Sequence, residues 1–185
     1  MAGRNLKEKL LDQAKREYSP KQRFIALAFE AVFFLVILPA ALVLLGWSID
    51  RWLGISKVSY EPFNLIFGVV FILLGWLFAI WSIYAQFTVG RGTPVPLMAT
   101  QKLVIQPPYS YCRNPMALGA IVLYLGVAIR IGSLGALILV LLGAIALLTY
   151  IKRIEEKEME IRFGQDYLDY KDRTPFLIPR FTRKG

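Results

Sequence analysis

Two long apolar runs constrain this chain more than any other feature. Phe24 to Trp47 is interrupted only by Glu30, and Phe63 to Phe87 carries only Asn64, Ser82 and Gln86 as notably polar members. A helix rises about 1.5 Å per residue and the hydrocarbon layer of a bilayer is about 30 Å thick, so roughly 20 apolar residues cross it. Both runs reach that length. Two shorter runs, 115–130 and 134–151, meet at the link Arg130-Ile131-Gly132-Ser133 and read as an antiparallel helical hairpin. The first of this pair is short enough to be tilted or re-entrant. The expectation is an all-α, polytopic transmembrane bundle of about four spans (24–47, 63–87, 115–130 and 134–151) forming a single membrane domain over 1–185. A basic amphipathic segment, 1–23, precedes the spans, and a cytoplasmic helical tail, 152–185, follows them. With 56% hydrophobic residues, the chain has more apolar surface than a soluble domain of its length buries.

The net charge of +9 does not describe a nucleic-acid surface, because the cations flank the apolar runs. Arg4, Lys7, Lys9, Lys15, Arg16, Lys21 and Arg23 precede the first run, and nine Lys or Arg follow the last. Arg91, Lys102 and Arg113 lie between the second and third runs, against only Arg51, Lys57 and Arg130 on the other side. The positive-inside rule then puts both termini and the 88–114 link in the cytoplasm, which an even number of crossings satisfies. The first run is too long for a signal-peptide core and reads as a retained span.

Within the spans, Gly68 and Gly75, and Gly119 and Gly126, recur at seven-residue intervals, as expected where helices pack closely. The link from Val89 to Asn114, rich in Gly and Pro, reads as a loop of defined turns. After Tyr150 a charged helix, Lys152 to Phe163, is expected to stop at Gly164 in a left-handed cap, with a short helix to about Asp172 beyond.

The lone Cys112 and the lack of histidine exclude an intramolecular disulfide and a Cys/His zinc site, so no metal is expected. Gly90-Arg91-Gly92-Thr93-Pro94 lacks the Lys-Ser/Thr ending and the preceding strand of a phosphate loop. The informative feature is a juxtaposition. A tight hairpin returns Glu155 and Glu156 to the depth of Arg113, beside Tyr109, Asn114 and a helix bearing Tyr167 and Tyr170.

Leu103-Val104, Pro108-Tyr109, Arg113-Asn114-Pro115-Met116 with Gly119, Glu155-Glu156, and Phe163-Gly164 with Tyr167 and Tyr170 follow one another in a distinctive order. Over roughly residues 90–180 the chain resembles the isoprenylcysteine carboxyl methyltransferase family and its phospholipid methyltransferase relatives. The resemblance implies S-adenosylmethionine as cofactor, held by Gln101, Lys102, Leu103, Val104, Tyr109, Asn114, Pro115, Met116, Ala117 and Glu155. It implies methyl transfer to a lipophilic acceptor that enters laterally from membrane lipid, either a prenylcysteine-like carboxylate or a lipid headgroup. Arg113 would orient a carboxylate and Glu156 would serve as base for an ammonium. Two positions depart from the family pattern. Asn114 stands where a His is usual, and Ile151 stands where the eukaryotic enzymes carry a substrate-orienting Arg, which favours methyl transfer in general over a prenylcysteine carboxylate.

Plainer readings coexist with these. Arg113 serves equally as a positive-inside anchor, Glu155 and Glu156 as part of a solvated charged helix, and Tyr167 and Tyr170 as headgroup-layer packing. Glu30, about two turns into the first span, needs a partner, a proton or the interface. At the level of function, an NADPH-dependent membrane reductase of the sterol-reductase type and a non-enzymatic membrane scaffold are the alternatives.

Overall fold

The computed structural model describes residues 19–91 and 100–181, so most of the amphipathic segment expected at 1–23 lies outside the described residues. Among the described residues the regular structure is entirely helical. Helix α1 runs Pro20–Leu53, α2 Phe63–Gly90, α3 Pro115–Ile131, α4 Leu134–Phe163 and α5 Gln165–Arg173. Three of them, α1, α2 and α4, are long and apolar enough to cross a membrane, while α3 is the shorter apolar helix of the hairpin.

Helix α1 begins four residues before the apolar run, for a reason visible in Ser19-Pro20-Lys21-Gln22. Ser19 Oγ accepts from Gln22 N–H (3.3 Å) and Gln22 Oε1 accepts from Ser19 N–H (3.0 Å), a reciprocal capping box with proline at the first helical position. The far end stops at Gly54, whose φ of 66° and ψ of 24° place it in the left-handed region. The charged stretch expected to start a separate helix at Lys152 is instead continuous with the last apolar run, since nothing in Thr149 to Ile154 terminates a helix. The join is a π-helical turn, Ile151–Glu155. Gly164 does end α4, but at φ 56° and ψ −128°, outside the left-handed helical basin expected from its sequence context. Glycine alone reaches that region at low cost.

The chain divides into two compact units, with α1, α2, α4 and, through Pro115, α3 contributing residues to both. One unit comprises Ala31–Ile80 and Met116–Leu148. Within it, α2 and α3 meet along the seam anticipated from glycine spacing. A Cβ on Gly75 would fall 2.6 Å from the Gly119 carbonyl oxygen, and one on Gly126 would fall 2.6 Å from Ile72 N. Helices α1 and α4 approach as closely, for a Cβ on Gly46 would lie 2.6 Å from that of Ala136. Backbone contact at this range gives van der Waals attraction that lipid-facing leucines do not.

Several polar groups in this unit are paired internally. Gly135 N–H donates to Asp50 Oδ1 (2.7 Å), and Asn64 Nδ2 donates to the Ile129 carbonyl (2.7 Å). Tyr124 Oη donates to the Phe34 carbonyl (2.7 Å), inside a π-helical turn, Phe33–Ile37. Leu44, Leu77, Ile145 and many other apolar side chains face outward, as lipid-exposed helices require.

Candidate functional site

The other unit comprises Met1–Glu30, Trp81–Pro115 and Thr149–Gly185, and holds the residues singled out for chemistry. Its described link, 100–114, has no regular secondary structure and is fixed by hydrogen bonds to the elements around it. Gln101 N–H donates to the Gly90 carbonyl at the end of α2 (2.7 Å). Arg162 of α4 donates to the Thr100 carbonyl. Tyr170 Oη of α5 donates to the Tyr109 carbonyl (2.7 Å), and Asn114 Nδ2 donates to the Phe176 carbonyl (2.9 Å). Arg113 N–H to the Pro175 carbonyl (2.8 Å) and Arg180 N–H to the Tyr111 carbonyl (3.0 Å) bind the chain after α5 to the same link. Pro108, Cys112 and Pro115 are fully buried, and burial pushes the Cys112 thiol up to about 11, so it stays protonated and unreactive.

Arg113 and Glu156 meet as the hairpin reading required. Nη2 and Nε of Arg113 donate to Glu156 Oε1 at 2.8 and 3.1 Å, while Nη1 donates to the carbonyls of Lys171 (2.7 Å) and Thr174 (2.6 Å). The second oxygen of Glu156 pairs with Lys171 Nζ at 2.9 Å, and Lys171 also reaches Glu160 at 2.8 Å. Four of the five guanidinium N–H donors and both carboxylate oxygens are therefore committed within the protein. This charge cluster ties link, α4 and α5 into one body.

Glu155 is different. Among the described residues it makes no hydrogen bond or ion pair. It lies beyond the apolar part of α4, which ends at Ile151, and burial, with the nearby Glu158 and Glu156 carboxylates, raises its pKa. The π turn that closes at Glu155 inserts an extra residue into the helical repeat. Consecutive carboxylates can then serve two surroundings.

Glu155 and Glu156 both border a recess of about 460 Å³, measured to its open mouth, with Leu103, Val104, Tyr109, Arg113 and Asn114. The remaining lining is Gln86, Thr100, Ile151, Met159, Tyr167 and Tyr170. Of these, the two tyrosines and Ile151, the position where related enzymes carry an Arg, had a sequence signal pointing toward the site. Gln86 sits in the π turn Gln86–Gly90 at the end of α2, where a polar residue on an apolar span was the available clue. Gln101, Lys102 and Pro115 lie in the same unit but do not line the recess, and Met116 and Ala117 belong to the other unit.

Tyr109 Oη and Gln86 Oε1 are shielded from solvent without a hydrogen-bond partner of normal geometry. Burial, reinforced by Tyr170, Glu155 and Cys112, raises the Tyr109 phenol well above its usual range, an effect that the nearby Gln86 amide only moderates. The Tyr167 phenol is pushed up to about 12, chiefly by burial. The recess thus combines an apolar and aromatic wall, one carboxylate without a hydrogen-bond or ion-pair partner among the described residues, and no uncommitted cation among its described lining residues.

Residues 63–166, over half of the chain, match the phospholipid methyltransferase family. The chain belongs to that family. The matched stretch runs from the start of α2 to the beginning of α5 and takes in Arg113, Glu155 and Glu156, while Tyr167 and Tyr170 fall just past it. Among curated proteins, methanethiol S-methyltransferase 2 of Bradyrhizobium diazoefficiens is 26% identical to this chain over 179 residues. The alignment covers 88% of this chain and 64% of that relative, so the chain spans a little under two-thirds of the relative's length.

Proposed function

We propose that this member of the phospholipid methyltransferase family is an integral membrane methyltransferase that takes S-adenosylmethionine in the recess around Glu155. The observation carrying this reading is a half-buried carboxylate, Glu155, that has no hydrogen-bond or ion-pair partner among the described residues and borders the same recess as the buried Tyr109 phenol and Gln86 amide. A cofactor with cationic, hydroxyl and aromatic parts suits such a lining. Glu155 would accept from its ammonium or ribose hydroxyls, while Leu103, Val104, Met159 and the tyrosines would enclose its apolar parts. When bound, the cofactor supplies an electrophilic methyl group on a sulfonium.

The chain's own part is to bind, align and exclude water. Arg113 and Glu156 act here as positioning residues, since their polar atoms are committed to each other and to α5. That reassigns the orienting and base roles the family resemblance gave them. Without an uncommitted cation among its described lining residues, the recess is poorly suited to a carboxylate acceptor, and we assign it an acceptor uncharged at the reacting atom. A thiol fits this description, losing its proton to water as its sulfur would take up the methyl group, in keeping with the relative named for methanethiol S-methylation. Neither Arg91 nor Lys102 lines the recess, which leaves a nicotinamide 2′-phosphate without the cations it calls for. The reading also keeps four crossings, a cytoplasmic recess and lateral access for the acceptor from lipid.

In proteoliposomes supplied with methyl-labelled S-adenosylmethionine, label is expected in the thioether formed from an alkanethiol. Label in phosphatidylethanolamine or a prenylcysteine ester instead would overturn the acceptor assignment. Label in none of the three, from protein that also fails to bind the cofactor, would overturn the whole reading.

A further inference from the structure

Within the unit formed by 31–80 and 116–148 there is a second cavity, of about 640 Å³ to its open mouth. It lies at the C-terminal ends of α1 and α3, beside the turn between α3 and α4, where apolar sequence gives way to polar. Val43, Ile55, Ile131 and the ring of Trp47 supply apolar wall, and Arg51 and Lys57 supply charge. Both cations are exposed, so they stand at the opening, and among the described residues neither makes an ion pair. The Arg51 guanidinium lies 5.8 Å from the Trp47 ring centre. That contact steadies the side chain and leaves its N–H donors free.

The third charged group, Asp50, is already employed. Its Oδ1 accepts from Gly135 N–H (2.7 Å), and Ser133 Oγ accepts from Ala136 N–H (3.0 Å), so the two side chains cap the start of α4. Asp50 is held down at the protein wall and is only 8% exposed. The opening is therefore net positive.

We propose that this cavity binds an anionic phospholipid, with the phosphate between Arg51 and Lys57 and one acyl chain along Val43, Ile55 and Ile131. Cations at the edge of an apolar span sit where lipid phosphates lie, and their attraction adds to burial of hydrocarbon. A free phosphate would leave the apolar wall wet, and a neutral lipid would leave two cations without a counter-charge. A zwitterionic headgroup would bring its own ammonium toward them. An anionic phospholipid satisfies wall and opening together.

The test is thermal unfolding of the purified, delipidated protein in neutral detergent with added ligand. Phosphatidylglycerol is expected to raise the midpoint by about 3 °C or more, as a ligand well above its dissociation constant does. Diacylglycerol and inorganic phosphate are expected to have no comparable effect. The shift is expected to vanish in the double variant Arg51→Gln/Lys57→Gln, whose exposed positions do not threaten the fold. It is expected to shrink in Val43→Trp, which narrows the apolar wall while keeping both cations. No shift in the wild type, an undiminished shift in either variant, an equal response to diacylglycerol, or a response to phosphate alone would each overturn the proposal.

Discussion

Glu155 and Glu156 are adjacent in sequence and opposite in circumstance. Glu156 is gripped by Arg113 and Lys171, whereas Glu155 borders the recess with no hydrogen-bond or ion-pair partner among the described residues. Their substitutions should therefore separate. Arg113→Ala leaves the Glu156 carboxylate buried with a lost counter-ion and should cost about 3 kcal/mol of stability, read as a lowered thermal midpoint in detergent. Glu155→Gln should leave the midpoint at pH 7 unchanged or raise it.

The pH dependence follows from the raised Glu155 pKa. The folded state holds this proton more tightly than the unfolded chain does, so between the unfolded and folded pKa values the native state carries more protons. Stability contributed by the protonated group is present at low pH and declines as pH rises through that window. Midpoints measured from pH 4 to 8 should show this decline in the wild type, superimposed on other titrations, and a weaker one in Glu155→Gln. Sequence alone marked the two carboxylates without telling them apart, because the distinction depends on Lys171, fifteen positions beyond Glu156, and on a π turn that no residue type announces.

Among the elements, glycine spacing was the most legible packing signal. Gly75, Gly119 and Gly126 hold the backbones of α2 and α3 so close that a Cβ has no room, whereas Gly143 on α4 has nothing within 4 Å of where a Cβ would stand. Gly126→Ala should destabilise by roughly 1–3 kcal/mol through overpacking. Gly143→Ala should be neutral or slightly stabilising because alanine is the better helix former. Equal midpoints for the two variants would count against the seam. Span positions were readable because hydropathy varies over lengths longer than a helical turn. The start of α1 was signalled by Ser19 and Gln22 but outweighed by the apolar run after it. The continuity of α4 was obscured by its change from apolar to charged at Lys152, since a helix that emerges from a membrane keeps its backbone hydrogen bonds while its side chains change solvent.

At the scale of the molecule, the proposed four crossings put both termini and the recess on the cytoplasmic side. Reporter fusions at the two termini should report the same compartment, and one inserted near Lys57 should report the other; opposite signals from the termini would require an odd number of crossings. The polar link and tail, which hydropathy alone leaves as the parts outside the membrane, fold into one body through Arg113, Glu156 and the hydrogen bonds around them. That assembly was legible as a juxtaposition across the hairpin. The lining contributed by Gln86, Thr100 and Met159 was not, because none of the three belongs to a recognisable motif: Gln86 lies on an apolar span, and Thr100 and Met159 only flank residues that do.

Isothermal titration of S-adenosylmethionine into the detergent-solubilised wild type and Glu155→Gln addresses the recess itself. Saturable one-site binding by the wild type is predicted, weakened roughly 10- to 100-fold by the loss of one charge-assisted contact. No binding to folded wild-type protein, or equal affinity in the variant, would contradict the assignment of this recess and of Glu155 to the cofactor.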